Sequence, residues 1–200
     1  MLDKGSIGVF DSGYGGLTIL NEFRKSLPEY DYIYLGDNAR APYGNRSFDV
    51  VHDFTLEAVR FLYNKGCRLV ILACNTSSAK ALRTIQQRHL KDMDSDFRVL
   101  GVIRPSTETI GAYSKTKHIG ILGTEGTVNS NSYAIELNKF CSGVFVTQQA
   151  CPMWVPLIES NKHMSEKGKA IIKGDFIDLI KKDPEIDTVL LACTHYPIIA

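Results

Sequence analysis

One pattern occurs twice in this chain, and it restricts the fold more than any other feature. Ile7-Gly8-Val9-Phe10-Asp11-Ser12-Gly13 returns as Ile119-Gly120-Ile121-Leu122-Gly123-Thr124-Glu125, with 119 − 7 = 112. Tyr32-Ile33-Tyr34 returns as Val144-Phe145-Val146 at the same offset, 144 − 32 = 112. Ala41-Pro42 is echoed by Cys151-Pro152 (152 − 42 = 110), and Cys74 by Cys193 (193 − 74 = 119). Buried strands resemble one another, so a single match decides little. Four matches in one order at nearly constant offset read as two similar halves related by a pseudo-two-fold axis.

The units of each half are apolar runs alternating with stretches of helical period. Ile7-Phe10, Tyr32-Leu35, Leu69-Cys74 and Arg98-Ile103 read as strands. A helix from Ser47 to Lys65 is expected to bury Val50, Val51, Phe54, Ala58, Phe61 and Leu62, with Gly66 at its end. Another is expected after Cys74, to about Leu90, and Pro105 sits where a helix can start. Strands alternating with helices imply a parallel sheet covered on both faces. The expected fold is therefore α/β: two pseudo-symmetric, doubly wound parallel-sheet halves, 1–97 and 98–200, with the active site between them. The counterpart of the strand at Arg98 falls past Ala200, so the second half is expected to lack its C-terminal strand and helix, leaving a bare sheet edge.

Composition narrows the class. The 200 residues carry a net charge of +1, so no basic surface points to nucleic acid. No apolar run reaches the ~18 residues of a membrane span. The stretch from Met1 to Ser6 has no signal-peptide core, and the expected location is cytoplasmic. Five cysteines at irregular spacing, with no CxxC and no ligand-spaced histidine, argue against a disulfide framework or a metal site. Cys67 and Cys141 read as packing thiols.

Two cysteines stand apart. Leu69-Val70-Ile71-Leu72-Ala73-Cys74-Asn75-Thr76 and Thr188-Val189-Leu190-Leu191-Ala192-Cys193-Thr194-His195 each deliver a thiol to the carboxyl end of a buried strand, where α/β sheets bind ligands. Asn75-Thr76 and Thr194-His195 can grip a carboxylate there. A helix start or a histidine beside a thiol is expected to lower its pKa from ~8.5 toward neutrality. His195 alone could be a core histidine. Its place in Cys-Thr-His-Tyr-Pro, opposite Cys-Asn-Thr, favours function.

Asp11-Ser12-Gly13-x-Gly15-Gly16 lies between strand and helix and admits two readings. It is an anion site at a helix start, or a tight turn in which Asp11 caps the helix. It lacks the glycine spacing of a dinucleotide site and the lysine of a P-loop. Tyr43-Gly44 after Pro42 is either a ligand-holding loop or an ordinary turn. Two thiols on opposite faces of one carbon suit racemisation: one takes a proton, the other returns it to the far side.

These motifs, together with Gly36-Asp37-x-Ala39-x-Ala41-Pro42-Tyr43-Gly44, Ala150-Cys151-Pro152 and Val155-Pro156-Leu157-Ile158-Glu159, closely resemble glutamate racemase, of the aspartate/glutamate racemase superfamily. The resemblance implies cofactor-independent interconversion of L- and D-glutamate for bacterial peptidoglycan and cell shape. It implies that Cys74 takes the proton from the D-isomer and Cys193 from the L-isomer. By the same resemblance Asp11 and His195 tune the thiols, and Glu159 is a further acidic helper. Asp11, Ser12, Tyr43, Gly44, Asn75, Thr76, Thr194 and His195 would hold the substrate. No cofactor or metal is implied, glutamate is the small-molecule partner, no nucleic acid or membrane is expected, and the family commonly forms homodimers. The rival readings are a racemase of another amino acid such as aspartate, and an inactive short member that only binds anions.

Overall fold

A computed structural model describes residues 5–200; Met1 to Lys4, on which much of the N-terminal reading rests, lie outside the described residues. The chain divides into two compact units, one ending at Val102 and the next beginning at Ile103. The expected boundary at 97/98 is five residues early. The strand Arg98–Gly101 (β4) pairs with Cys67–Leu72 (β3), so its hydrogen bonds tie it to the first unit. Among the described residues no helix is long and apolar enough to cross a membrane.

The first unit holds a parallel sheet in the order β2-β1-β3-β4, with β1 at Ser6–Asp11 and β2 at Tyr32–Gly36. Both β1 and β3 are paired on two sides, which explains their unbroken apolar runs. Side chains alternate across the sheet. Ile7, Val9 and Ala73 pack on one face with Ile19, Leu20 and Phe23 of α1 (Leu17–Ser26). Phe10, Val70 and Leu72 pack on the other with Val51, Val59 and Leu62 of α2 (Phe48–Asn64).

Helix α2 begins one residue after Ser47, which caps it: its Oγ accepts a hydrogen bond from the Val50 N–H at 3.3 Å. It ends before Gly66, whose φ of +87° is the left-handed conformation that glycine adopts without strain. The buried stripe is Val51, Thr55, Leu56, Ala58, Val59 and Leu62. Phe61, expected inside, lies on the outer face with the Lys65 ammonium 5.5 Å from its ring. Replacing Ser47 with alanine leaves the Val50 N–H without this partner. It is expected to cost about 1 kcal/mol, read as a lower urea midpoint by circular dichroism.

The helix expected after Cys74, to about Leu90, is broken. It runs as α3 (Asn75–Lys80), α4 (Leu82–Thr84), a π-helical turn at Ile85–His89 and a 3-10 turn at Leu90–Asp92. The first four residues of α3 are small, polar and buried, and such side chains compete with helical hydrogen bonding. Ser78 Oγ donates to the Leu72 carbonyl and accepts from the Val102 N–H, tying α3 to the chain on either side of it.

The second unit opens with α5 (Ile103–Ile110), where the strand reading of Arg98–Ile103 ran two residues too far; Pro105 lies in the first turn, where its missing N–H costs nothing. Its parallel sheet has the order β6-β5-β7, from His118–Gly123 (β5), Phe145–Ala150 (β6) and Thr188–Ala192 (β7). Between them run α6 (Glu125–Asn129), α7 (Ser132–Phe140), α8 (Trp154–Glu159) and α9 (Glu166–Lys182). Among the described residues β7 stands at the sheet edge. An open apolar cleft of about 620 Å³ lies there, lined in part by Leu122, Trp154, Ile172, Val189 and Leu191.

The repeat holds at the level of register, with one correction. Phe10 faces Leu72 in the first sheet, and Leu122 faces Leu191 in the second, at the expected offsets of 112 and 119. The second strand is displaced: Ile7 faces Tyr32 but Ile119 faces Val146, an offset of 146 − 32 = 114 rather than 112. The partner of Cys151 is therefore Asp37, not Ala41. The Asp37 N–H donates to the Asp11 carbonyl at 3.0 Å, and the Cys151 N–H donates to the Gly123 carbonyl at 2.8 Å.

Candidate active site

Each unit gathers polar side chains at the carboxyl ends of its strands. In the first, Cys74 follows β3 and serves as N-cap of α3, its Sγ accepting from the Ser77 N–H at 3.5 Å. Sγ also lies 3.5 Å from Ser12 Oγ. Asp11, the last residue of β1, is fully buried, and its Oδ2 accepts from the Gly13 N–H at 3.1 Å. The capping reading of Asp11 is thus replaced: α1 has Gly16 at its N-cap with no side-chain hydrogen bond, and Asp11 closes the turn before it. Asn75 and Thr76 are buried directly after the thiol.

The Cys74 thiol is pushed up from its ordinary value, first by burial and then by the Asp11 carboxylate; hydrogen bonds from Ser12 and Ser77 pull the other way and lose. The expected lowering is therefore wrong for this cysteine. A helix start of six residues does not outweigh burial with a carboxylate nearby.

Tyr43 is held more firmly than an ordinary turn residue. Its ring is buried between Phe10 and Phe54, with centroids at 6.2 and 5.7 Å, and its hydroxyl donates to Asp37 Oδ2 at 2.5 Å. Arg40 Nε donates to the same oxygen at 2.6 Å, and its guanidinium lies 4.2 Å from the Phe54 ring centre. Lys80 Nζ donates to the Arg46 carbonyl at 2.5 Å, tying the loop to α3. The loop contains a cis Ala41–Pro42 bond, and Gly44 beside Tyr43 is half-buried. Burial and the Asp37 bond keep the Tyr43 phenol protonated, so it acts as a donor.

In the second unit, Cys193 follows β7, and its Sγ lies 3.9 Å from His195 Nδ1. His195 Nε2 lies 3.1 Å from Glu159 Oε1, at the end of α8. Thiol, imidazole and carboxylate form one line, and the structure brings together these three residues of the sequence reading. Thr194 is buried beside them, and the Tyr196 hydroxyl donates to the Cys151 carbonyl at 3.0 Å. Cys151 itself is a packing thiol. It sits in the cluster of Trp154, Ile158 and Tyr196, and burial and then Asp175 push its thiol up to about 12.

The sequence reading passed over Thr124. It caps α6, accepting the Thr127 N–H at 3.2 Å, and occupies the position of Ser12 in the repeat. The offset of 112 that linked the strands was the signal that could have singled it out.

This chain is similar to known proteins along nearly its whole length. The family described as Asp/Glu/Hydantoin racemase matches residues 18–200. The glutamate racemase of Oceanobacillus iheyensis is 39% identical over 198 residues, spanning 99% of this chain and 69% of its own. A glutamate racemase isoform from Bacillus anthracis superposes with a TM-score of 0.87 at 36% identity, covering 97% of this chain and 70% of that one. The glutamate racemase of Francisella tularensis, solved in complex with D-glutamate, also gives 0.87, at 34% identity, covering 99% and 71%. Identity at this level along nearly the whole sequence, with the same parallel-sheet halves, makes this chain a member of the Asp/Glu/hydantoin racemase family.

Proposed function

We propose that the chain interconverts L- and D-glutamate without a cofactor, using Cys74 and Cys193 on opposite faces of the α-carbon. The observation that carries this reading is the pair of strand-end thiols at equivalent positions of the repeat, each with its own polar partners. In the forward step the Cα–H bond of D-glutamate breaks, and its proton passes to a Cys74 thiolate. The electron pair stays on the α-carbon and its carboxylate, held by donors such as Ser12, Asn75, Thr76 and Thr194. The Cys193 S–H bond then gives its proton to the opposite face, leaving a thiolate at 193 ready for the L-isomer. Asp11 and the His195–Glu159 pair set the charge state of the two thiols, and Tyr43 and Gly44 hold the substrate. The D-isomer would supply peptidoglycan synthesis in the cytoplasm, and the working form would be a homodimer.

The test is glutamate in D₂O with freshly reduced protein. Deuterium is expected at the α-position starting from either enantiomer, with loss of optical rotation, and slower with aspartate. No α-deuterium from either glutamate enantiomer would overturn the reading; faster exchange with aspartate would reassign the substrate.

A further inference from the structure

Tyr34 belongs to none of the motifs that mark the site, yet its hydroxyl reaches into it. From β2 it donates to the Gly13 carbonyl at 2.7 Å, across 21 residues of sequence. Gly13 is thereby held from both ends: its N–H by Asp11 Oδ2 and its carbonyl by Tyr34. The clasp leaves no slack. A Cβ on Gly16 would stand 2.6 Å from Asp11 Cβ and 3.1 Å from the Tyr34 hydroxyl, and one on Gly36 would stand 2.6 Å from the Gly13 carbonyl oxygen. The Cys74 N–H lies 3.4 Å from the carbonyl of Phe10, the residue before Asp11. We propose that Tyr34 is a positioning residue, whose hydroxyl fixes the Asp11–Gly13 turn and so holds the Asp11 carboxylate within electrostatic reach of Cys74. Burial, then Asp11, then Cys74 push the Tyr34 phenol up, so the hydroxyl remains a donor wherever the thiols work. The role in turnover rests on the racemase reading; the role at the thiol does not.

The same strand supplies a control. The Tyr32 hydroxyl also donates to backbone carbonyls, those of Phe23 and Leu27 at 3.2 and 2.9 Å, but at the opposite end of β2. Tyr34→Phe and Tyr32→Phe therefore each remove hydrogen bonding to the backbone by one phenol of this strand. The experiment follows the Cys74 titration by the ¹³Cβ shift in cysteine-labelled protein, assigned with Cys74→Ser. Freed from the clasp, Asp11 moves off the thiol. Tyr34→Phe is expected to lower the Cys74 midpoint by about 1 pH unit, within the range that a neighbouring carboxylate imposes. Asp11→Asn lowers it at least as much, and Tyr34→Phe adds nothing in the Asp11→Asn background, because it acts through that carboxylate. Tyr32→Phe leaves the midpoint in place. For glutamate turnover, Tyr34→Phe is expected to cut kcat about tenfold with KM within twofold, while Tyr32→Phe changes neither. Equal behaviour of the two tyrosine variants, or a Tyr34→Phe shift that persists without the Asp11 charge, overturns the proposal. An inactive parent protein overturns the racemase reading alone, since the thiol titration needs no turnover.

Discussion

Cys74→Ser and Cys193→Ser are each expected to lower racemisation of glutamate by about a thousandfold or more. An acid or base placed at the reacting atom contributes ~10²–10⁴ in rate, and a serine hydroxyl is far too weak an acid to stand in for a thiol at neutral pH. Both directions fall together, because each turnover uses one thiol as base and the other as acid, and two mirror-image substrates have an equilibrium constant of one. Proton exchange separates the two sides. Cys193→Ser keeps Cys74, which on this reading still draws the α-hydrogen of D-glutamate and returns a solvent deuteron to the same face. Deuterium then enters D-glutamate without inversion, and L-glutamate exchanges only slowly. Cys74→Ser gives the reverse. Full racemisation by either variant sinks the two-thiol assignment, and identical exchange patterns sink the division of labour.

Phe10→Ala is expected to destabilise the first unit by about 3–5 kcal/mol, the cost of emptying a large aromatic site that cannot fully collapse. Phe10 has no exposed surface, stands opposite both Leu35 and Leu72, and rests against the Tyr43 ring. The cavity opens beneath the loop that carries Tyr43 and Gly44, so KM is expected to rise along with the loss of stability. Phe10→Leu keeps most of the volume and is expected to cost less than half as much. Urea unfolding by circular dichroism measures both variants. The equivalent position in the second unit is Leu122, which packs in the cluster holding Trp154, the chain's only tryptophan. Leu122→Ala is expected to lower the midpoint of Trp154 fluorescence by a free energy of about 2–5 kcal/mol. A Phe10→Ala protein as stable as its parent would mean that β1 repacks, contrary to the tight register on both of its sides.

Much of this molecule was legible in the linear sequence, for a local reason. Strand and helix periods, the glycine past α2 and the serine before it act within a few residues. The alternation of apolar runs with helical stretches, and the recurrence of that alternation after Lys117, determined two parallel-sheet halves, each with a cysteine just past a strand. What the tertiary structure alone decided depends on groups far apart in the chain. The fold buries Cys74 and brings Asp11 near it from the end of β1, so the direction of the Cys74 shift follows from the tertiary structure and not from the helix start beside it. The two-residue slip of β6 makes Cys151 the counterpart of Asp37 in the repeat, because register is set across strands, where sequence spacing carries no distance. Phe61 faces outward because packing against the sheet, not helical period alone, selects the buried stripe of α2. Tyr34 went unnoticed for the same reason: its hydroxyl acquires a role only when the sheet lays it against Gly13.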